Sequence, residues 1–304
     1  MMLANTRPRQ PDKYFPAMPD TTQLISYHGG HSGEFCAHAQ DQLEDVIRRY
    51  IELGFQTVGI SEHMPPEEDR FVYDDEHLAN LDIDKMQNRF ACYMSTCRQL
   101  QSKYASQIRI FVGFETETYH GYKSWVRHLI KKFEPDYIVG SIHHVDDHAI
   151  DSSPENYRRA VDAANGLDQL YCRYFDQQLE MIELLKPQVV GHLDLIRKFD
   201  HDYGARLVRS EIWSRITRNL QRIKELGLIL DLNMRPMVQG GTEPYPSRPI
   251  LEHARTLDIP VVPGDDSHGV ATVGKNIDHG IQILKDLRFC TEWPELDCKA
   301  PNTK

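Results

Sequence analysis

Nine side chains with metal-binding chemistry recur in one sequence context. His28, His31, His38, His63, Glu115, His143, His192, Asp266 and His268 each stand at, or a few residues past, the end of a short apolar run. Neutral imidazole together with carboxylate suits Zn2+, Mn2+ or Fe. One catalytic zinc takes about three protein ligands, so this set calls for two or three divalent ions with a carboxylate shared between them. Glu115 is the natural bridge, because it emerges from the middle of the series. The densest stretch is Ser26-Tyr27-His28-Gly29-Gly30-His31-Ser32-Gly33-Glu34-Phe35-Cys36-Ala37-His38, with three histidines in eleven residues. A lone strand-end histidine is usually structural. Six strand ends carrying such residues together favour a multinuclear site.

Several neighbours are set aside on geometry. In Asp266-Ser267-His268 an extended backbone points the outer two side chains the same way, so Asp265 and Ser267 face elsewhere. By the same alternation His144 turns away from His143 and, with His148, is read as solvated. His77, His120, His128, His201, His253 and His279 fall on helices or loops and carry no role, and Cys36 is read as an ordinary thiol. Glu117 shares a face with Glu115 but ranks below the ligands. Glu62, just before His63, is read as an outer partner to a ligand.

Sites with two or more ions favour hydrolysis, above all of phosphate esters, since two ions stabilise both the attacking and the leaving oxygen. A phosphate also wants a guanidinium fork. Arg197, five residues past His192, and Arg235, two past Asn233, are the candidates, with Lys275 behind them. The sequence has no GxSxG elbow, Walker A loop or HExxH helix.

These residues need a scaffold that gathers strand ends. Strand-like runs end at Tyr27, Ile60, Phe114, Ile142, Gly191, Leu232 and Val262, and amphipathic helical segments alternate with them. Helices are expected over 83–104, 122–133 and 155–185, among others, while 64–81 and 144–153 read as loops. Continuous apolar runs suit parallel strands covered on both faces. Only a closed ring brings six strand ends to one mouth, so the expectation is a single α/β domain, a distorted seven-stranded TIM-like barrel over 21–289. Residues 1–20, with four prolines, are expected to be an irregular arm, and 290–304 a loose tail.

Composition narrows the partners. The net charge of −10 argues against nucleic acid and anionic membrane surfaces. No apolar run approaches the roughly 18 residues of a membrane span, and the N-terminal stretch lacks the apolar core of a signal peptide. Six cysteines without a CxxC pair read as reduced thiols. The expected location is cytoplasmic and the expected partner a small phosphorylated substrate. Composition says nothing of oligomeric state.

At this point the motifs resemble a known family. His31-Ser32-Gly33-Glu34-Phe35-Cys36-Ala37-His38, Ser61-Glu62-His63, Gly113-Phe114-Glu115, Gly140-Ser141-Ile142-His143-His144, Val190-Gly191-His192-Leu193-Asp194, Glu243-Pro244-Tyr245-Pro246-Ser247 and Asp266-Ser267-His268-Gly269 occur in that order. Together they resemble the polymerase-and-histidinol-phosphatase (PHP) superfamily, in its stand-alone histidinol-phosphatase branch, over about residues 24–287. The resemblance implies a trinuclear metal centre. The first ion would take the opening histidines, Glu115 and Asp266; the second Glu115, His143 and His192; the third His38, His63 and His268. It further implies attack of a metal-bridging hydroxide on phosphorus and release of L-histidinol from L-histidinol phosphate, with Glu115, Asp266 and His268 at the reaction centre. A phosphoesterase acting on a nucleotide or sugar phosphate, and a barrel that binds metal or phosphate without turnover, are the alternatives. One departure stands out. The family opens with His-x-His, whereas here the spacing is His28-Gly29-Gly30-His31. Either a glycine bulge lets His28 reach the first ion, or His28 lies on the wrong side and that ion loses a ligand.

Overall fold

The computed structural model describes residues 22–296; the expected arm at 1–20 lies outside them. Seven parallel strands form one nearly closed barrel with helices packed around it, in a single-domain α/β fold. They are β1 (Ile25–Ser26), β2 (Thr57–Ile60), β3 (Arg109–Glu115), β4 (Tyr137–Gly140), β7 (Val189–Val190), β8 (Ile229–Asn233) and β9 (Val261–Gly264), paired in that order. Beyond the two edge strands the ring is joined by backbone bonds: Asp266 N donates to the His28 carbonyl at 3.0 Å, and His31 N to that of Ser267 at 2.7 Å.

Alternation along the strands decides what faces the barrel axis. On β3, Ile110, Val112 and Phe114 join the outer core beneath the helices, whereas Phe111 joins a separate inner cluster with Ile25, Tyr27, Tyr137, Val139, Val189, Ile229 and Val262. Two steps beyond Phe111 comes Gly113, and two further Glu115. The series Ile229, Asp231, Asn233 climbs the same wall, as do Val262 and Gly264; Asp266 joins them past the strand end through a left-handed turn (φ +43°), not the extended backbone expected there. Inward glycines make room at mid-height. A methyl on Gly113 would sit 2.4 Å from Tyr137 Cε1, and one on Gly264 only 2.1 Å from Asp231 Oδ1. Tyr137 and Asp231 thus fill space that their neighbours leave.

Four other local expectations are corrected. The helix over 155–185 is two helices, Pro154–Ala163 and Leu167–Leu185, because Asn165 and Gly166 turn left-handed between them (φ +62° and +125°). The 144–153 loop opens with an antiparallel hairpin, β5 (His144–Val145) and β6 (His148–Ala149). The 64–81 excursion carries a 3-10 turn, Asp69–Phe71, and a short helix, Asp74–Leu78. The tail is not loose where it is described. Trp293 Nε1 donates to the Gln23 carbonyl at 2.7 Å, Tyr27 Oη donates to that of Pro294 at 2.8 Å, and Leu296 joins the inner cluster at the barrel floor.

The glycine gap makes a stability prediction. Gly113→Ala should lower the urea midpoint by about 1–3 kcal/mol of stability at unchanged m-value. Gly204→Ala, whose new methyl meets nothing within 4 Å, should not lower it.

Candidate metal centre

Glu115 is the hub of the barrel mouth. It is 1% exposed, and its Oε1 accepts from His192 Nε2 at 2.8 Å and His143 Nε2 at 3.0 Å. Its Oε2 accepts from His28 Nε2 at 3.3 Å and lies 3.7 Å from His63 Nδ1 and 3.9 Å from His31 Nε2. The remaining imidazoles close the ring. Centroids are 4.6 Å apart for His31 and His268, 4.9 Å for His31 and His63, and 5.1 Å for His38 and His268. All nine residues singled out by spacing therefore meet in one place, His28 included. Its side chain reaches the axis because Gly29 presses against β2, where a methyl would stand 2.2 Å from the Gly59 carbonyl oxygen.

The histidines are gripped from behind. Nδ1 of His28 faces Asp231 at 2.8 Å, that of His31 faces Glu62 at 3.2 Å, and that of His63 faces Glu117 at 3.0 Å. Nδ1 of His143 faces Asp151 at 3.3 Å, that of His268 the Asp266 carbonyl at 2.9 Å, and that of His38 the Asp75 carboxylate at 3.6 Å. Such a partner fixes ring orientation and leaves Nε2 as the ligand atom, the usual arrangement around a metal-binding histidine; Nε2 of His38 lies 3.1 Å from Cys36 Sγ. His192 lacks a partner on Nδ1.

The electrostatics ask for cations. Burial would raise the Glu115 carboxyl, but His28, His63 and His143 hold it well below the ordinary range. Asp266 is likewise held low, chiefly by His28 and His31 against the effect of burial. Burial opposes charge on His31, yet Asp266 and Glu62 push it up to about 9. His28 and His143 have carboxylates on both ring nitrogens and are raised well above the ordinary value despite burial. Protons thus supply positive charge that divalent ions would supply on binding, releasing those protons. The residues fit such ions. His31 Nε2 is fully buried between two carboxylates, 3.2 Å from Asp266 Oδ1 and 3.9 Å from Glu115 Oε2. His28, Glu115 and His192 offer ligand atoms within 4.8 Å of one another, as do His28, His31 and Asp266, and His63, Glu117 and His143.

Above the cluster opens a cleft of about 460 Å3, walled by Tyr73, Asp74, Asp151, Ser152, Lys198, Arg235 and Tyr245 among others. Arg235 lies half-exposed in the cleft wall and donates one side-chain hydrogen bond, from Nη1, to the Asp266 carbonyl at 3.3 Å. Arg197 corrects the expectation of a phosphate ligand. Its Nε donates to buried Asp194 at 3.0 Å, Nη2 to the Pro244 carbonyl at 2.6 Å, and its guanidinium lies over the rings of Tyr245 and Tyr203 at 4.3 and 4.6 Å. That assembly holds the 239–247 loop against β8, where Tyr245 and Asn233 exchange backbone hydrogen bonds. Lys275 is exposed away from the cleft, near Arg49 and Glu52.

His144 is also a correction. It is buried, and its Nδ1 meets Glu117 at 3.2 Å, because the hairpin turns it under Phe71 and Tyr73. Glu117 stands closer to the centre than its sequence ranking implied. Asp231, Asp151 and Lys198 were missed. Asp231 was recoverable, since it lies two residues before Asn233 on the inward face; Asp151 and Lys198 sit on loops where no periodicity guides assignment. Glu62 sits behind His31, where an outer partner belongs. Asp265 faces outward, as expected, to Ser26 and Tyr50.

Comparison with known proteins agrees with this geometry. The family description "PHP domain" matches residues 28–235. A Schizosaccharomyces pombe protein named probable histidinol-phosphatase is 36% identical over 257 residues, 83% of each chain. The structure of a candidate histidinol phosphatase from Listeria monocytogenes superposes with a TM-score of 0.75 at 27% identity, covering 84% of this chain and 99% of its own. A Lactococcus lactis histidinol phosphate phosphatase, solved with zinc, L-histidinol and phosphate, shares the fold at 18% identity, with a TM-score of 0.68 over 88% of this chain and 94% of its own.

The placement of Arg197 is testable. Arg197→Met should destabilise the fold by about 3–5 kcal/mol in urea, because it strands Asp194 as a buried unpaired charge. A phosphate-binding arginine in an open cleft would leave stability nearly unchanged.

Proposed function

We propose that this chain, which belongs to the PHP domain family, is a metal-dependent phosphomonoesterase that hydrolyses L-histidinol phosphate to L-histidinol and phosphate, a step of histidine biosynthesis. The observation that carries the reading is the inward-facing cluster around Glu115, on a barrel whose 36%-identical relative bears the histidinol-phosphatase name. Three divalent ions, Zn2+ or Mn2+, are the occupancy we assign. His28, His31, Glu115 and Asp266 would hold the first, Glu115, His143 and His192 the second, and His38, His63 and His268 the third. Bound there, the ions supply Lewis acidity toward the phosphoryl oxygens and lower the pKa of a water nucleophile.

The chain's own residues do the rest. Arg235 offers its guanidinium to the phosphate at the cleft wall, with Lys198 as the second cation there. Glu115 stays ionised because its imidazole neighbours hold it so, and it accepts positive charge from both sides. Asp266 is the carboxylate at the cleft wall that we assign to take the proton from the attacking water. In the reaction the ester P–O bond breaks as a P–O bond to water forms, and the proton taken up by Asp266 passes to the departing alkoxide, which leaves as the alcohol. The acidic wall at Asp74 and Asp75 suits the ammonium end of the substrate. A cytoplasmic location belongs to the same reading, supported by free thiols at all five described cysteines. No described helix is long and apolar enough to cross a membrane.

Protein loaded with Mn2+ or Zn2+ should release phosphate from L-histidinol phosphate far faster than from nucleotide or sugar monophosphates. Glu115→Gln should lose more than about a hundredfold in kcat, the loss that an outer partner alone can cause. Arg235→Met should raise KM with a smaller effect on kcat. Inactivity on every ester with ions bound would overturn the reading.

A further inference from the structure

Five of the six groups that grip the histidines from behind belong to barrel strands or the loops that follow them: Asp231, Glu62, Glu117, Asp151 and the Asp266 carbonyl. The sixth, Asp75, belongs to the short helix Asp74–Leu78 in the excursion between β2 and β3. That helix is lightly held. Glu76 is its one buried side chain, and Leu78 at its end is 83% exposed. The segment before it is anchored, since the Phe71 ring stacks on Tyr119 at 4.3 Å. Val72 is buried as well; beyond it the ties lead to the histidine cluster. Tyr73 Oη donates to Glu117 Oε2 at 3.2 Å, while the other oxygen of Glu117 meets His63. Asp75 faces His38, whose other ring nitrogen lies 3.1 Å from Cys36 Sγ. Tyr73, Asp74 and Asp75 also wall the cleft.

We propose that residues 73–78 form a flap latched to the outer metal ion, with Asp75 as the positioning residue that orients His38. The inference rests on the metal-dependent reading above. A half-exposed carboxylate 3.6 Å from an imidazole contributes little alone. An ion on the far nitrogen makes the ring a better donor, and an outer partner of this kind tightens metal binding by about 10–100-fold. Linkage is reciprocal: if Asp75 in place tightens the ion, the ion tightens Asp75 in place by the same factor. A helix with no apolar anchor is the kind of element that such a factor can shift from mostly open to mostly closed. Loading of the outer ion then closes the acidic wall of the cleft.

Hydrogen exchange of peptides spanning 67–81 tests this on the whole chain, zinc-loaded and chelator-stripped, with zinc counted by mass spectrometry. Zinc should slow exchange in 73–78 about tenfold. Asp75→Asn should abolish most of that slowing and weaken the most labile ion about tenfold in chelator competition, while the tighter ions stay bound. Tyr73→Phe should lose part of the slowing, and Asp75→Glu should keep it. Full zinc content with unchanged flap exchange, or an Asp75→Asn protein protected like the parent, overturns the latch and leaves the phosphatase reading intact. Failure to bind zinc at all overturns both.

Discussion

A buried carboxylate surrounded by imidazoles is the constraint on which the rest of this molecule depends. Glu115 sits at the axis of the barrel with His28, His143 and His192 on its oxygens. Such a group is tolerable in a protein interior only when positive charge surrounds it. Every neighbour is then constrained in turn. Each histidine must present a particular nitrogen, so all but His192 have a partner behind them, and those partners are again mostly carboxylates. Two concentric shells of charge result, and the barrel is the frame that keeps them in register.

The frame meets this demand by leaving material out. Inward positions at mid-height are occupied by glycine at Gly113 and Gly264, and Tyr137, Asp231 and His28 enter the space. Below that level the axis is apolar and packed; above it the side chains are almost all ionisable. The change occurs within two inward-facing steps of a single strand, from Phe111 to Glu115 on β3. Parallel strands make this possible, because every strand ends at the same face and delivers its last inward residue to the same layer.

What was legible in the sequence follows from this geometry. Apolar runs ending in His, Glu or Asp predicted both the barrel and its nine inward groups, because strand periodicity carries a side chain to the axis without tertiary information. The family resemblance made the function readable. The outer shell was harder. Asp231 obeyed strand periodicity and was passed over. Asp151 and Asp75 come from loops, where sequence distance from the histidine they support has no fixed value. Arg197 was misread because its position after a strand end resembled that of Arg235. Its environment is set by Asp194, Tyr203 and Tyr245, partners scattered over some fifty residues of chain. His144 was misread because the alternation expected of a strand gives way there to a hairpin.

The floor of the barrel carries one more consequence. Trp293, Pro294 and Leu296 close the end opposite the histidines, over the inner layer of Tyr27, Phe111 and Val262. Among the described residues that end is covered, and the cleft over the histidines is the doorway to the centre. Substrate and water enter where alcohol and phosphate depart, and the two products must clear the doorway before another ester can pass. Traffic through that opening, and not passage through the barrel, sets the order in which molecules can meet the centre.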